Sequence, residues 1–147
     1  MTLKERLIND VKDAMRAQDK NRLTTLRLIT AAVKQIEVDE RVEVDDQRLI
    51  AVLTKMTKQR KESIAQFEKA NRDDLVNQEL SELEIIAQYL PAPLSNEEIE
   101  KMVDQAVLDS AASTLADMGK VMTLVKDALQ GRADMAQVSA LIRAKLS

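Results

Sequence analysis

The segment DMGKVMTLVKDALQGRAD, residues 117–134, contains both glycines of the chain, Gly119 and Gly131. Each glycine is followed at once by a cation, Lys120 and Arg132. Between the glycines, apolar residues recur at helical spacing: Val121, Met122, Val125 and Leu129. The pattern predicts a helix that stops at Gly131 in a left-handed conformation, with Asp134 as the N-cap of the next helix. The alternative is that the two glycines mark positions where a partner approaches the backbone closely and a side chain is not tolerated.

The composition extends this helical pattern to the whole chain. Its 147 residues include only two glycines and two prolines, and the common residues are good helix formers. We therefore predict an all-α protein. Pro91 and Pro93 cannot continue a helix, so we place a domain boundary there. An N-terminal bundle of four helices is expected over residues 1–91, and a three-helix domain over 94–147.

The N-terminal domain carries two local predictions. Residues 37–44 alternate acidic and β-branched side chains, which lowers helix propensity and predicts a connection. Asp45 is a plausible N-cap for a long third helix that reaches Ala70. On that helix Arg60 falls within the apolar arc, where an unpaired guanidinium would be costly. We expect it to meet a carboxylate of a neighbouring helix, with three candidates: Glu37, Glu79 and Glu82.

The missing residue types exclude several kinds of chemistry. The chain has no histidine and no cysteine, which removes imidazole catalysis, thiolate chemistry, disulfides and nearly all zinc sites. We expect neither a metal nor a cofactor. No secretory signal and no apolar run of membrane-spanning length is visible, so we expect a cytoplasmic protein without a membrane partner.

The charge balance restricts nucleic-acid binding to a local site. The net charge is −3, which disfavours non-specific phosphate contacts and argues against a DNA partner. One tyrosine and one phenylalanine offer no platform for stacked bases. The densest positive feature is a stripe on the third predicted helix, which is either a solvated face or a secondary contact: Arg48, Lys55, Lys58 and Lys61.

Several separated segments resemble one protein family. DMGKVM at 117–122 and GRAD at 131–134, followed by Val138, are similar to the C-terminal signature of the GatB/YqeY family. Upstream, RLTTLRLI at 22–29, KQRKESI at 58–64 and YLP at 89–91 also resemble this family, so the similarity covers nearly the whole chain.

The resemblance implies both an architecture and a partner. In this family a three-helix tail is shared with the B subunit of tRNA-dependent amidotransferases, where the tail is associated with tRNA. The chain contains neither the glycine-rich Ser-Lys amidase segment nor the ATP-dependent body of that enzyme. A carbon-nitrogen ligase label, with glutamine as amido donor, would therefore be inherited from the larger protein.

Three functions remain open from the sequence. In the first, the protein is a non-catalytic tRNA-associated module whose glycines permit close approach to RNA phosphates. The candidate contacts are Gly119, Lys120, Lys126, Gly131, Arg132, Arg143 and Lys145. In the second, it is an adaptor for amidotransferase or other translation proteins, with methionines forming an adaptable surface: Met118, Met122 and Met135. In the third, it is an enzyme that uses paired carboxylates or a Ser-Lys arrangement, but both acidic pairs, Asp45-Asp46 and Asp73-Asp74, lie where helix capping explains them.

Overall fold

The computed structural model describes residues 1–147 and is all-α, which confirms the predicted fold class. The chain forms two compact units, Met1–Leu90 and Pro91–Ser147. The first contains four helices: α1 Leu3–Arg16, α2 Lys20–Glu40, α3 Asp46–Lys69 and α4 Asp73–Ala87. The second contains three: α5 Asn96–Ser110, α6 Met118–Leu129 and α7 Met135–Leu146, with a 3₁₀ turn, Leu115–Asp117, directly before α6. None of these helices combines the length and the apolar character needed to cross a membrane.

Five of the seven helices begin at a side chain that accepts a hydrogen bond from the first turn. Thr2, Asp19 and Asp45 cap α1, α2 and α3, and Ser95 and Asp134 cap α5 and α7. Four helix ends are followed by a non-glycine residue in the left-handed conformation, with φ between 54° and 56°: Gln18, Arg41, Asn71 and Ala111. Local sequence signals therefore set most of the boundaries.

The second helix ends later than predicted. Residues 37–40 are helical rather than part of a connection, so this prediction was wrong. Glu37 receives a hydrogen bond from Lys4 of α1 at 2.6 Å and one from the backbone N–H of Val44 at 3.0 Å. The Lys4 hydrogen bond lowers the pKa of the Glu37 carboxyl. These tertiary contacts offset the low local helix propensity.

Each unit has its own aliphatic core. In the first unit the fully buried side chains come from all four helices and include Leu7, Leu26, Ile29, Leu49, Leu53 and Ile86. In the second they include Val103, Val121, Leu129, Val138 and Ile142. Met118, Met122 and Met135 are partly buried against this second core. The methionines thus serve mainly to pack the second unit.

Arg60 makes a partly buried ion pair between α3 and α4. Its Nε lies 3.0 Å from Oε2 of Glu82, and the two side chains are only 13% and 12% exposed. One terminal nitrogen of Arg60 also donates to the carbonyl of Met56 at 3.2 Å. Nearby, burial and the charge of Glu82 raise the pKa of Glu79. The Arg60 guanidinium therefore balances the negative charge of Glu82 inside the bundle.

A second polar cluster surrounds Tyr89, which is 3% exposed. Its hydroxyl donates to the carboxylate of Asp10 on α1 and accepts from Arg22 on α2 at 3.4 Å. Arg22 also donates to the side chain of Gln88 at 2.7 Å. The guanidinium of Arg6 lies 4.9 Å from the centre of the Tyr89 ring. Burial, followed by the hydrogen bond to Asp10, raises the pKa of Tyr89.

Replacing Glu82 with alanine tests the ion pair in the bundle. We expect Glu82→Ala to lower the free energy of unfolding by about 3 kcal/mol, because the substitution leaves the Arg60 guanidinium unpaired in a largely buried site. Asp13→Ala is the control, since its pair with Arg16 is exposed and is worth at most about 1 kcal/mol. Urea unfolding followed by circular dichroism measures both. Equal losses in the two variants would contradict this assignment.

Tyr89 should resist ionisation for as long as the protein is folded. Its folded pKa is raised above the ordinary value of 10.0. The stabilisation that accompanies the raised pKa is therefore complete below about pH 10 and is lost as the pH rises toward the folded pKa. Because Tyr89 is the only tyrosine, near-ultraviolet absorbance reports its ionisation alone, and we expect that signal to rise only with unfolding. Tyr89→Phe should cost about 1–2 kcal/mol near neutral pH and should lack this alkaline dependence. Ordinary titration near pH 10 in the folded protein would refute the assignment.

Candidate nucleic-acid interface

Gly119 lies inside the first turn of α6 rather than in a connecting turn. A Cβ atom built on Gly119 would meet nothing within 4 Å, and its φ is not positive. The fold itself therefore does not exclude a side chain here, and turn geometry does not explain this glycine. A glycine in the middle of a helix costs roughly 0.5–1 kcal/mol relative to alanine. Gly119 is the second residue of α6, so alanine here would stabilise the fold by at most that amount.

Gly131 is a turn residue. Its φ is 79°, and the preceding Gln130 has φ −61° and ψ 127°. The backbone N–H of Arg132 donates to the carbonyl of Leu129 at 3.0 Å. These values define a type II turn, whose third position favours glycine. The two glycines of the signature thus have different roles.

Arg132 is engaged within the second unit. Its Nε donates to the carbonyl of Ala92 at 3.1 Å, and its own carbonyl accepts from the N–H of Leu94 at 2.9 Å. Arg132 therefore holds the segment around the two prolines beside the turn that follows α6. Its position next to Gly131 is accounted for by this contact.

Lys145 is also engaged. Its ammonium lies 2.6 Å from a carboxylate oxygen of Asp104 and 3.3 Å from one of Glu100. The hydrogen bond to Asp104 raises the pKa of Lys145. The lysine holds α7 against α5, and its charge is compensated.

The other three predicted cations are exposed. Lys120 lies 3.6 Å from the carboxylate of Asp117, which accepts from the N–H groups of Ser113 and Thr114. These two hydrogen bonds hold the pKa of Asp117 below its ordinary range. Lys126 and Arg143 form no ion pair. They are the freest cations among the predicted contacts.

One exposed side of α6 carries Gly119 and, two helical turns further along, Lys126, with a residue between them that the sequence reasoning missed. Helical spacing places Gly119, Thr123 and Lys126 within roughly 60° of one another, and all three are exposed. The hydroxyl of Thr123 donates to the carbonyl of Gly119 at 2.8 Å. Thr123 could have been found from the sequence, because it follows Gly119 by four residues and therefore lies on the same side of a helix. No hydrogen bond or ion pair links Arg143 to this side of the helix.

The basic stripe on α3 is divided in the structure. Arg48 pairs with Glu40. Lys55, Lys58 and Lys61 are exposed and unpaired, but helical spacing spreads them over roughly 120° with Glu62 between them. They do not form one uninterrupted positive surface.

The fold and this surface define a class: a small all-helical protein of two units, one of which presents an exposed glycine and an unpaired lysine on one side of a helix. Comparison with known families is consistent with this description. The sequence model of the Yqey-like protein family matches residues 4–146, and the chain belongs to that family. The family resemblance predicted from the sequence is therefore confirmed.

Several relatives are fungal proteins called "Altered inheritance of mitochondria protein 41, mitochondrial". The Kluyveromyces lactis protein is 40% identical over 106 residues, covering 70% of this chain and 57% of the relative. The Pyrenophora tritici-repentis protein is 32% identical over 131 residues, covering 87% and 71%. The Saccharomyces cerevisiae protein is 34% identical over 105 residues, covering 67% and 57%. The chain thus spans little more than half the length of two of these relatives.

These names contradict the prediction of a cytoplasmic protein, because the relatives are named as mitochondrial. The prediction rested on the lack of a secretory signal and of a membrane-length apolar run. Neither feature distinguishes the cytoplasm from the interior of an organelle, which is why the prediction was wrong.

The two glycines should respond oppositely to alanine. We expect Gly119→Ala to raise the free energy of unfolding by at most about 1 kcal/mol, because the site is helical and has space. Gly131→Ala should lower it by roughly 1–2 kcal/mol, since its left-handed φ strains any residue with a Cβ. Urea unfolding of the two variants measures both changes. Destabilisation by Gly119→Ala would show that the fold itself requires this glycine.

Proposed function

We propose that the protein is a non-catalytic, tRNA-associated helical module, and that the second unit contacts RNA phosphates through the exposed side of α6. The observation that carries this proposal is Gly119, which faces open space on the same side of α6 as the exposed Lys126, two helical turns further along. A helix that keeps a destabilising glycine with nothing packed on it is explained if a partner approaches the backbone there.

The chemistry of this surface favours phosphate over base recognition. Lys126 supplies a flexible ammonium, and the missing Cβ lets a phosphodiester approach the helix closely. The only tyrosine, Tyr89, is buried, and the only phenylalanine, Phe67, is half-buried. Stacking on exposed aromatic rings is therefore not available, and recognition rests on shape and on the sugar-phosphate backbone.

The exposed cations define the set of contacts. Lys120, Lys126 and Arg143 are exposed, and only Lys120 has a nearby carboxylate. Arg132 and Lys145 already make contacts that hold the second unit together. We assign the phosphate contacts to the first three. The net charge of −3 does not oppose a local site, because exposed charges more than about 8 Å away are largely screened at physiological salt.

Binding of tRNA across a salt series tests the proposal. We expect the wild-type protein to bind tRNA more weakly as salt rises. A Lys120→Gln/Lys126→Gln variant should lower the slope of log affinity against log salt by about 0.7 to 0.9 for each contact removed. Gly119→Ala should also weaken binding while it stabilises the fold. Fluorescence anisotropy with labelled tRNA measures these changes.

A matched control removes the same charge from another exposed helix face. Lys58→Gln/Lys61→Gln lies on α3 of the first unit and also changes two exposed lysines. If the two double variants lose affinity equally, the α6 surface is not the site. If wild-type protein does not bind tRNA at low salt, the proposal fails.

A second candidate function is a protein-interaction adaptor for amidotransferase or other translation proteins. It is favoured by exposed apolar residues of the second unit, since Leu108 is 73% and Leu124 52% exposed. Contiguous apolar patches mark docking surfaces, whereas single exposed leucines are ordinary, so substitution of the two leucines decides whether they act. The adaptor is favoured if a protein partner still co-purifies after nuclease treatment and at high salt, and no longer does so with the Leu108→Ser/Leu124→Ser variant. Loss of the partner on nuclease treatment would count against it.

A further inference from the structure

The outer face of α2 carries a straight row of cations. Lys20, Arg27 and Lys34 are separated by seven residues each and are exposed. Seven residues are nearly two helical turns, so each step drifts by only about 20° around the helix. The three cations therefore lie along one side of α2 at intervals of about 10.5 Å.

No carboxylate forms an ion pair with this row, although Asp19, the N-cap of α2, directly precedes Lys20. None of the three cations forms an ion pair, and the anions of α2 lie near its C-terminal end, where each has another partner. Glu37 binds Lys4, Glu40 binds Arg48, and Asp39 accepts from Gln35. The row is therefore positive along its length, although the whole chain is negative.

Short side chains separate the cations. Helical spacing places Thr24 and Ala31 between the cations on the same outer face. The hydroxyl of Thr24 donates to the carbonyl of Lys20 at 2.8 Å, so its hydrogen is already used within the helix. A partner lying on this face meets three cations and methyl groups, with no bulky side chain to hold it away.

We infer that the row Lys20, Arg27 and Lys34 on α2 is a second contact surface for the phosphate backbone of RNA, separate from the α6 surface. The inference rests on the proposed function, because it takes RNA as the partner. A linear polyanion matches a linear, evenly spaced row of cations, and long Lys and Arg side chains can each reach one phosphate. The contact is independent of sequence and contributes affinity and orientation.

The lysines of α3 provide the contrast within the same unit. Lys55, Lys58 and Lys61 are also three exposed, unpaired cations, but they turn around the helix with Glu62 among them. A straight phosphate backbone cannot lie on all three at once. The two triplets therefore carry equal charge and differ in arrangement.

Two triple variants test the inference on the full chain: Lys20→Gln/Arg27→Gln/Lys34→Gln on α2, and Lys55→Gln/Lys58→Gln/Lys61→Gln on α3. Circular dichroism first checks that both remain folded, as expected for exposed positions. Binding to labelled tRNA is then measured across a salt series. We expect the α2 variant to lower the salt slope by about 2 to 3 and to weaken binding at least about tenfold. The α3 variant should change the slope by less than about 1.

The other outcomes overturn the inference or separate it from the proposed function. Equal losses of tRNA affinity in the two triple variants mean that only total charge matters. An unchanged salt slope in the α2 variant means that the row does not touch RNA. Either result refutes the inference. If tRNA affinity falls in the α6 double variant but not in the α2 variant, the inference about α2 is wrong and the proposed function stands. Loss in the α2 variant but not in the α6 variant supports the row and moves the site away from α6. If wild-type protein binds anionic vesicles but not tRNA, both proposals fail.

Discussion

The hydrogen bond from the Tyr89 hydroxyl to the Asp10 carboxylate is the contact on which the arrangement of the first unit depends. Aliphatic side chains fill this core, and their burial is non-directional, so it favours compaction without fixing how one helix slides along another. The tyrosine reaches α1 through Asp10 and α2 through Arg22, while Arg60 and Glu82 join α3 to α4. These directional contacts fix the register that the aliphatic core leaves loose. Four helices are therefore tied by two polar clusters.

The second unit uses its charges in a different way. Lys145 holds α7 to α5, and Arg132 holds the proline segment, so cations that stand near the signature in the sequence serve the fold. The charges left at the surface are fewer than the sequence suggests. Among the predicted contacts, Lys120 and Lys126 on α6 and Arg143 on α7 remain exposed. This division of roles decides which residues are available to a partner.

Local physics made much of the fold predictable. The caps Asp45 and Asp134 and the left-handed Gly131 depend on residues within four positions, and the sequence identifies them. The misassigned segment, 37–40, is helical because Glu37 pairs with Lys4 of α1. Lys4 is far away in the sequence, so no local pattern contains that pairing. The role of Arg132 depends on Ala92, forty residues away, and the open space beside Gly119 depends on what does not pack there. The sequence was enough to name candidate residues. Whether each one is free to bind a partner or already contacts another residue depends on its neighbours in the folded structure.

The scarcity of glycine has a thermodynamic consequence for the chain before it folds. Gln18, Arg41, Asn71 and Ala111 take left-handed conformations at helix ends that glycine would adopt without steric cost. Each such residue strains the native state by roughly 1 kcal/mol. Each also restricts the unfolded chain, which would gain conformational freedom from a glycine at the same place. The protein thus accepts strain at four helix ends in exchange for a smaller loss of backbone entropy on folding.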